Sequence, residues 1–461
     1  MVGPSRTSIA ARALGRLLVL VSSSSISARL RASLPEGTLP VGLGLLVAGV
    51  ATYAFFKVGN VAVGGDVAFE PIASLWFLTF ALAPGFFLPL EQELGRAIAH
   101  RRALGQGSQP VVDKVVKLGV LLVAVVGFAI LLLSPLIASS YFDGNWFMVV
   151  TLLLAFSAYA PAHLARGVCS GTGRFNDYAI VMASDGVVRI VLCVVLAVIG
   201  VTAAGAYGLA VAVAPLFAVG FVYRKGSLRT EPGPPAEWSE VTANLGWLLL
   251  GSVFAATLLN AGPIAATLLA DDDQDALVTQ FSYGVLLARI PLFLFQAVQA
   301  ALLPRLSRLA AKGELTEFRS GLRRLLLVVV VVGVIGTVGA FIIGPWAISA
   351  VYDADLSGGT LAILALGSAF YMMAIATAQA VIALKGHALV ALGWGCGVIA
   401  FVLGTWLSSD DLFRRIELGL LISSITSMAA FMLALRYKMS TDVVPDQDSI
   451  MDAITDMPFE S

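Results

Sequence analysis

An all-α protein that crosses the membrane many times, with twelve helices in two six-helix lobes, is the fold class this sequence predicts. Three observations predict it: long apolar runs, basic residues confined to alternate connections, and an internal repeat after six runs. The chain has 461 residues, 58% of them hydrophobic and 13% charged, about half the charged share of a soluble domain. Its mean hydropathy is +0.90. The 45 glycines suit helices that approach closely in lipid.

A spanning helix needs about 20 mostly apolar residues. Twelve runs qualify, near 39–58, 70–91, 115–138, 145–166, 176–199, 204–223, 241–269, 276–304, 322–345, 359–384, 387–407 and 413–437. Short connections make neighbours antiparallel. Ahead of them, residues 1–38 read as a basic cytoplasmic arm with Arg6, Arg12, Arg16, Arg29 and Arg31. Its own apolar run, 17–21, is too short to span, and the segment does not read as a signal peptide.

The basic residues orient the set. Apart from Lys57, Arg189, Arg289, Arg414 and Arg415, all 29 Lys and Arg fall in the arm, in the connections after even-numbered runs, or just past the last run. The positive-inside rule then places both termini in the cytoplasm of a bacterial plasma membrane. Trp146, Trp346 and Trp406 fall near the outer ends of their runs, as in an interfacial belt.

The two halves repeat. "SPLIASSYFD" (134–143) answers to "GPWAISAVYD" (344–353), with Pro135 and Asp143 recurring as Pro345 and Asp353. "LPLEQELGRAIAHRRALG" answers to "LPRLSRLAAKG", and the fourth run ends in "SGTGR" where the tenth ends in "LKGH". Six spans per half give both halves one orientation, so a pseudo-twofold axis along the membrane normal relates them. The expected divisions are the arm 1–38, a first lobe 39–223, a linker 224–240 containing "EPGPPAEW", a second lobe 241–437 and an acidic cytoplasmic tail 438–461.

"LAPGFFLPLEQELGRA" (81–97), "GVCSGTGRFNDYA" (167–179) and "ARIPLFLFQAVQAALLPRLSRLA" (288–310) carry a family resemblance. Over 39–437 the chain resembles the multidrug/oligosaccharidyl-lipid/polysaccharide exporter superfamily, its actinobacterial polysaccharide-flippase branch above all. The last stretch is similar to the eighth helix of lipid II flippases, which carries an arginine and an "LLPxLS" ending. There the arginine lies about one turn further from the proline, and the further cavity arginines of those flippases have no counterpart in the first run here. The resemblance implies a MATE-like transporter fold and a flippase for a lipid-linked glycan on a polyprenyl-phosphate carrier. Membrane lipids and glycan-synthesis enzymes are the expected partners.

Ionised groups at mid-bilayer cost about 2.5–3.5 kcal/mol on insertion scales and face a cavity or a partner. Arg289 is one. Ser282, Arg289 and Gln296 share a stripe at i, i+7, i+14, Gln299 lies within a turn, and Pro291 should bend the helix. Arg289 reads as a phosphate-binding cavity group or as an ion pair between the lobes. Asp185 and Arg189, at i, i+4, read as an internal pair or a gate. His163, between Tyr159 and Arg166, reads as a packing histidine or a proton-coupling group. Asn260, before Gly262 and Pro263, and Gln379 read as interhelical glue or substrate contacts. In "PLEQELGRAIAHRR", Glu91 and Glu93 are expected to form an inner gate with Arg305 or Arg308 of the opposite lobe.

Other chemistry finds little support. Cys169, Cys193 and Cys396 lack disulfide or metal spacing, as do His100, His163 and His387. No GxxxxGK[ST], GxSxG or HExxH sequence occurs, and neither a cofactor nor a nucleic acid is expected. Alternatives to the flippase are a multidrug or cation antiporter of the same superfamily, a membrane glycosyltransferase or polymerase using Asp66 and Glu70, and a scaffold recruiting a basic partner through its acidic tail.

Overall fold

The computed structural model describes residues 37–243, 245–292, 295, 306, 309–310 and 313–440. Among them there is no strand. Long helices make up the fold: α1 (Thr38–Val63), α2 (Asp66–Ala103), α3 (Gln109–Leu132), α5 (Trp146–Gly171), α6 (Phe175–Val198), α7 (Ala204–Arg224), α9 (Leu245–Leu269), α10 (Asp275–Ala288), α11 (Leu315–Ile342), α13 (Gly358–Ala383), α14 (His387–Leu407) and α15 (Leu412–Ser440). Three short ones join them: α4 (Ser134–Tyr141), α8 (Ser239–Thr242) and α12 (Gly344–Tyr352). Eleven helices among the described residues are long and apolar enough to cross a membrane. The remaining expected span, 276–304, begins with α10, which ends at Ala288, and is described only in part beyond it; Gln296, Gln299, Arg305, Arg308 and both terminal segments lie outside the described residues.

Several boundaries correct the sequence reading. The run 115–138 is two helices, because Pro135 lacks the N–H that would continue α3 and starts α4 instead. The run 322–345 divides the same way, at Pro345. The second run extends from Asp66 to Ala103, so "PLEQELGRAIAHRR" is a continuation of α2. Pro71, Pro84 and Pro89 sit inside that helix without ending it; the Phe80 carbonyl that Pro84 releases is taken by a side chain of α9, as described below.

The internal repeat has a backbone counterpart. Asp143 and Asp353, two of three non-glycine residues with positive φ among those described, adopt 51° and 59° after α4 and α12. The turn between α5 and α6 centres on Gly173 at φ 73°, and the turn between α13 and α14 on Lys385 at φ 56°. Helix pairing repeats as well. In the first half α1 packs on α6, α2 on α5, and α5 on α3 and α7. In the second half α9 packs on α14, α10 on α13, and α13 on α11 and α15.

The peripheral helices α3 and α11 expose Val120, Leu121, Phe128, Leu327, Val331 and Ile335, an arrangement stable only against lipid. The halves meet mainly along α2 and α9, with α10 also against α2. One end of the bundle gathers Asp66, Asp143, Asp271 and Asp353, and the other Arg96, Arg101, Arg174, Arg224 and Lys225. At the basic end, buried Arg101 holds the segment between the halves: Nε lies 2.8 Å from Glu240 Oε2, and Nη1 donates to the Pro234 carbonyl at 2.8 Å.

Candidate functional site

The α2–α9 seam is built on prolines. Pro84 cannot donate to the Phe80 carbonyl four residues earlier, and Pro263 leaves the Leu259 carbonyl likewise free. Asn260 and Arg289 take both. Asn260 Nδ2 donates to the Phe80 carbonyl at 3.1 Å, Arg289 Nη2 donates to the Leu259 carbonyl, and Arg289 Nη1 donates to Asn260 Oδ1 at 3.3 Å. Asn260 therefore acts as interhelical glue and as a ligand of the arginine at once.

Arg289 itself follows the last residue of α10, where Pro291 interrupts helical bonding. Tyr53 of α1 donates to the Leu286 carbonyl there at 2.6 Å. The guanidinium lies 5.5 Å from the centroid of the Phe77 ring and is only 6% exposed. Among the described residues no carboxylate pairs with it. Beside it is a cavity of about 40 Å³ lined by Leu259, Val285, Leu292, Ser368, Tyr371 and Ser424, room for a few waters and not for a sugar. Ser282 is buried on α10 but does not line this cavity, and Gln379 buries its Oε1 without a partner. Sequence reasoning missed Ser368, Tyr371 and Ser424.

In the first half the arginines buried within α5 and α6, Arg166 and Arg189, each meet a carboxylate. Glu91, 4% exposed, receives four contacts: Oε2 lies 2.8 Å from His163 Nδ1 and accepts from Arg166 Nε at 3.0 Å and Nη2 at 2.7 Å, while Oε1 accepts from Tyr178 at 2.7 Å. Two glycines make this possible. A Cβ on Gly167 would meet the Glu91 carbonyl at 2.8 Å, and one on Gly171 the Gly95 carbonyl at 2.6 Å, so this small-xxx-small pair brings α5 against α2. Glu91 thus engages its own half, and Glu93 pairs with Arg96 at 2.8 Å on the same helix; Arg305 and Arg308, the expected inner-gate partners, lie outside the described residues.

One turn along α5, Tyr159 joins the Asp185–Arg189 pair. Asp185 Oδ2 accepts from Arg189 Nη2 at 2.5 Å and from the Tyr159 hydroxyl at 3.2 Å, and Arg189 Nη2 donates to the Tyr159 oxygen at 3.0 Å. The Phe80 ring centroid lies 5.4 Å from this guanidinium.

At the acidic end, Asp66 binds Asn60 Nδ2 at 2.7 Å and Gln280 Nε2 at 3.1 Å. Glu70 Oε1 lies 2.7 Å from Ser74 Oγ and 2.9 Å from Thr267 Oγ1, within hydrogen-bond reach of both. No cluster of His, Cys, Asp and Glu suited to a metal occurs among the described residues.

No protein-family model and no curated protein matches the chain. Solved structures do. The Vibrio cholerae MATE transporter VcmN, as an aspartate-to-asparagine mutant, superposes at a TM-score of 0.68 with 15% identity, over 89% of this chain and 98% of that one. An outward-facing multidrug resistance MATE family transporter of the MOP superfamily gives 0.65 and 11%, over 88% and 96%. An inward-facing one gives 0.63 and 13%, over 87% and 96%. The chain thus has the MATE transporter fold.

Proposed function

We propose that the protein is a membrane transporter that flips a lipid-linked glycan precursor between leaflets by alternating access of its two halves, 39–223 and 241–437. Arg289 is the head-group site. One observation carries the reading: a guanidinium 6% exposed at the α2–α9 seam, held by an amide and a carbonyl and, among the described residues, by no carboxylate. A buried cation without a counterion is costly, and a phosphate or pyrophosphate supplies the missing charge in a geometry that the planar fork suits. Because the cavity holds only a few waters, the halves must part before a head group enters, while the polyprenyl chain stays in lipid.

The basic end faces the cytoplasm of a bacterial plasma membrane, in keeping with the positive-inside rule. The fold's solved relatives are described as multidrug transporters, which favours a drug antiporter as the second reading. Against it, a cationic drug would meet an unmatched arginine rather than an acid. The enzyme reading loses support because Asp66 and Glu70 are engaged in hydrogen bonds between helices.

Export separates these readings. Arg289→Ala should reduce outer-leaflet appearance of the glycan lipid by about 100-fold, as expected when a desolvated ion contact of about 3 kcal/mol is removed, at normal protein levels. Unchanged export with altered drug efflux would favour the antiporter.

A further inference from the structure

Glu70, Ser74 and Thr267 form a closed triangle of oxygens across the α2–α9 seam. Ser74 Oγ is 2.7 Å and Thr267 Oγ1 2.9 Å from the same oxygen, Glu70 Oε1, and the two hydroxyl oxygens are 2.8 Å apart. Three hydrogen-bond contacts need three protons. The hydroxyls supply two. If both point at a carboxylate, the 2.8 Å Ser74–Thr267 contact holds no proton and sets two lone pairs against each other. A proton on Glu70 Oε1 completes the ring: Glu70 donates to Ser74, Ser74 to Thr267, and Thr267 back to Glu70.

The surroundings agree. Glu70 is 7% exposed and forms no ion pair among the described residues. The charged groups facing it are Asp275, at the start of α10, and Asp143, in the turn after α4. Asp66, on its own helix, is occupied by Asn60, Gln280 and Tyr283. Among the described residues no cation reaches the ring, so the hydrogen-bond count alone calls for the third proton.

We propose that Glu70 is a proton-carrying latch: the seam between the halves closes at the acidic end with Glu70 protonated, and opening releases that proton to water there. When the halves part, Thr267 leaves the ring, and water solvates the carboxylate. The closed seam holds one more proton than the open seam, so rising pH favours opening, by at most about tenfold in the open-to-closed ratio per pH unit. This rests on the reading of the chain as a two-lobed transporter.

The test uses full-length protein in lipid nanodiscs, with exposed Cys396 replaced by serine and spin labels at Val67 and Leu268, which flank the seam and are exposed. Label separation is measured from acid to alkaline pH without substrate. In the otherwise wild-type chain the separation should widen as pH rises, whereas Glu70→Gln, neutral at every pH, should stay closed throughout. Thr267→Val keeps the acid and removes the seam hydroxyl, so its opening midpoint should move to lower pH. A separation that ignores pH, or a Glu70→Gln seam that opens as the parent does, overturns the latch; so does an unmoved midpoint in Thr267→Val. Because no glycan lipid is present, loss of the latch and loss of the Arg289 site are read independently.

Discussion

The two halves share one helix-pairing scheme and spend charge in opposite ways. In the first half Arg166 meets Glu91 and Arg189 meets Asp185, each pair backed by a tyrosine. In the second, Arg289 has an amide, a carbonyl and an aromatic face. The matched networks tie α2, α5 and α6 into one body, while the unmatched cation sits at the seam where that body meets the other. A repeated scaffold thus carries a charge-matched body on one side and, on the other, a buried arginine with no carboxylate partner among the described residues, the site proposed above for a head group.

The contrast can be broken by removing its anions. Glu91→Ala leaves Arg166 and His163 buried without a counterion, and thermal or denaturant unfolding should report a loss of about 3–5 kcal/mol. Arg289→Ala removes a buried charge with no carboxylate to strand among the described residues, but leaves the Leu259 carbonyl and Asn260 Oδ1 without that donor; the two effects oppose, so its stability should stay near the parent's. If Glu91→Ala were as stable as the parent, the first half would not be held together by its matched charges as described. Gly167→Ala is a smaller perturbation of the same body. Its methyl meets the α2 backbone, which should cost about 1–3 kcal/mol and loosen the Glu91 network, visible as faster hydrogen exchange in α5. Smallest is Arg96→Ala: Arg96 is half exposed and, among the described residues, pairs with Glu93 on its own helix and a carbonyl of α8, so stability should change by less than about 1 kcal/mol.

Local chemistry made much of this legible in the sequence. Apolar length located the spans, and the prolines at 135 and 345 marked equivalent places in the repeat, where the helices divide and two aspartates turn left-handed. Asp185 and Arg189 were within reach because they are four residues apart on one helix. Arg289 and Asn260 were singled out separately, and the structure joins them. Tertiary choices were hidden. Glu91 meets His163 across 72 residues, and Glu70 meets Thr267 across 197; no spacing rule reaches that far. Tyr371, Ser368 and Ser424 were missed because α13 and α15 are apolar on most sides, so no polar stripe announces which face turns inward. Charge alone suggests partners for Glu91 and Glu93 in the other lobe, whereas the close approach allowed by Gly167 and Gly171 is what brings Arg166 and His163 to Glu91.

The most direct measurement is equilibrium binding of a polyprenyl pyrophosphate to the purified protein in nanodiscs, comparing the parent with Arg289→Lys and Arg289→Ala. The account predicts saturable binding by the parent, weakened about tenfold when lysine keeps the charge and loses the fork, and about 100-fold when alanine removes both. Unfolding curves should match in all three. Equal affinity across the set would contradict an anion site at Arg289.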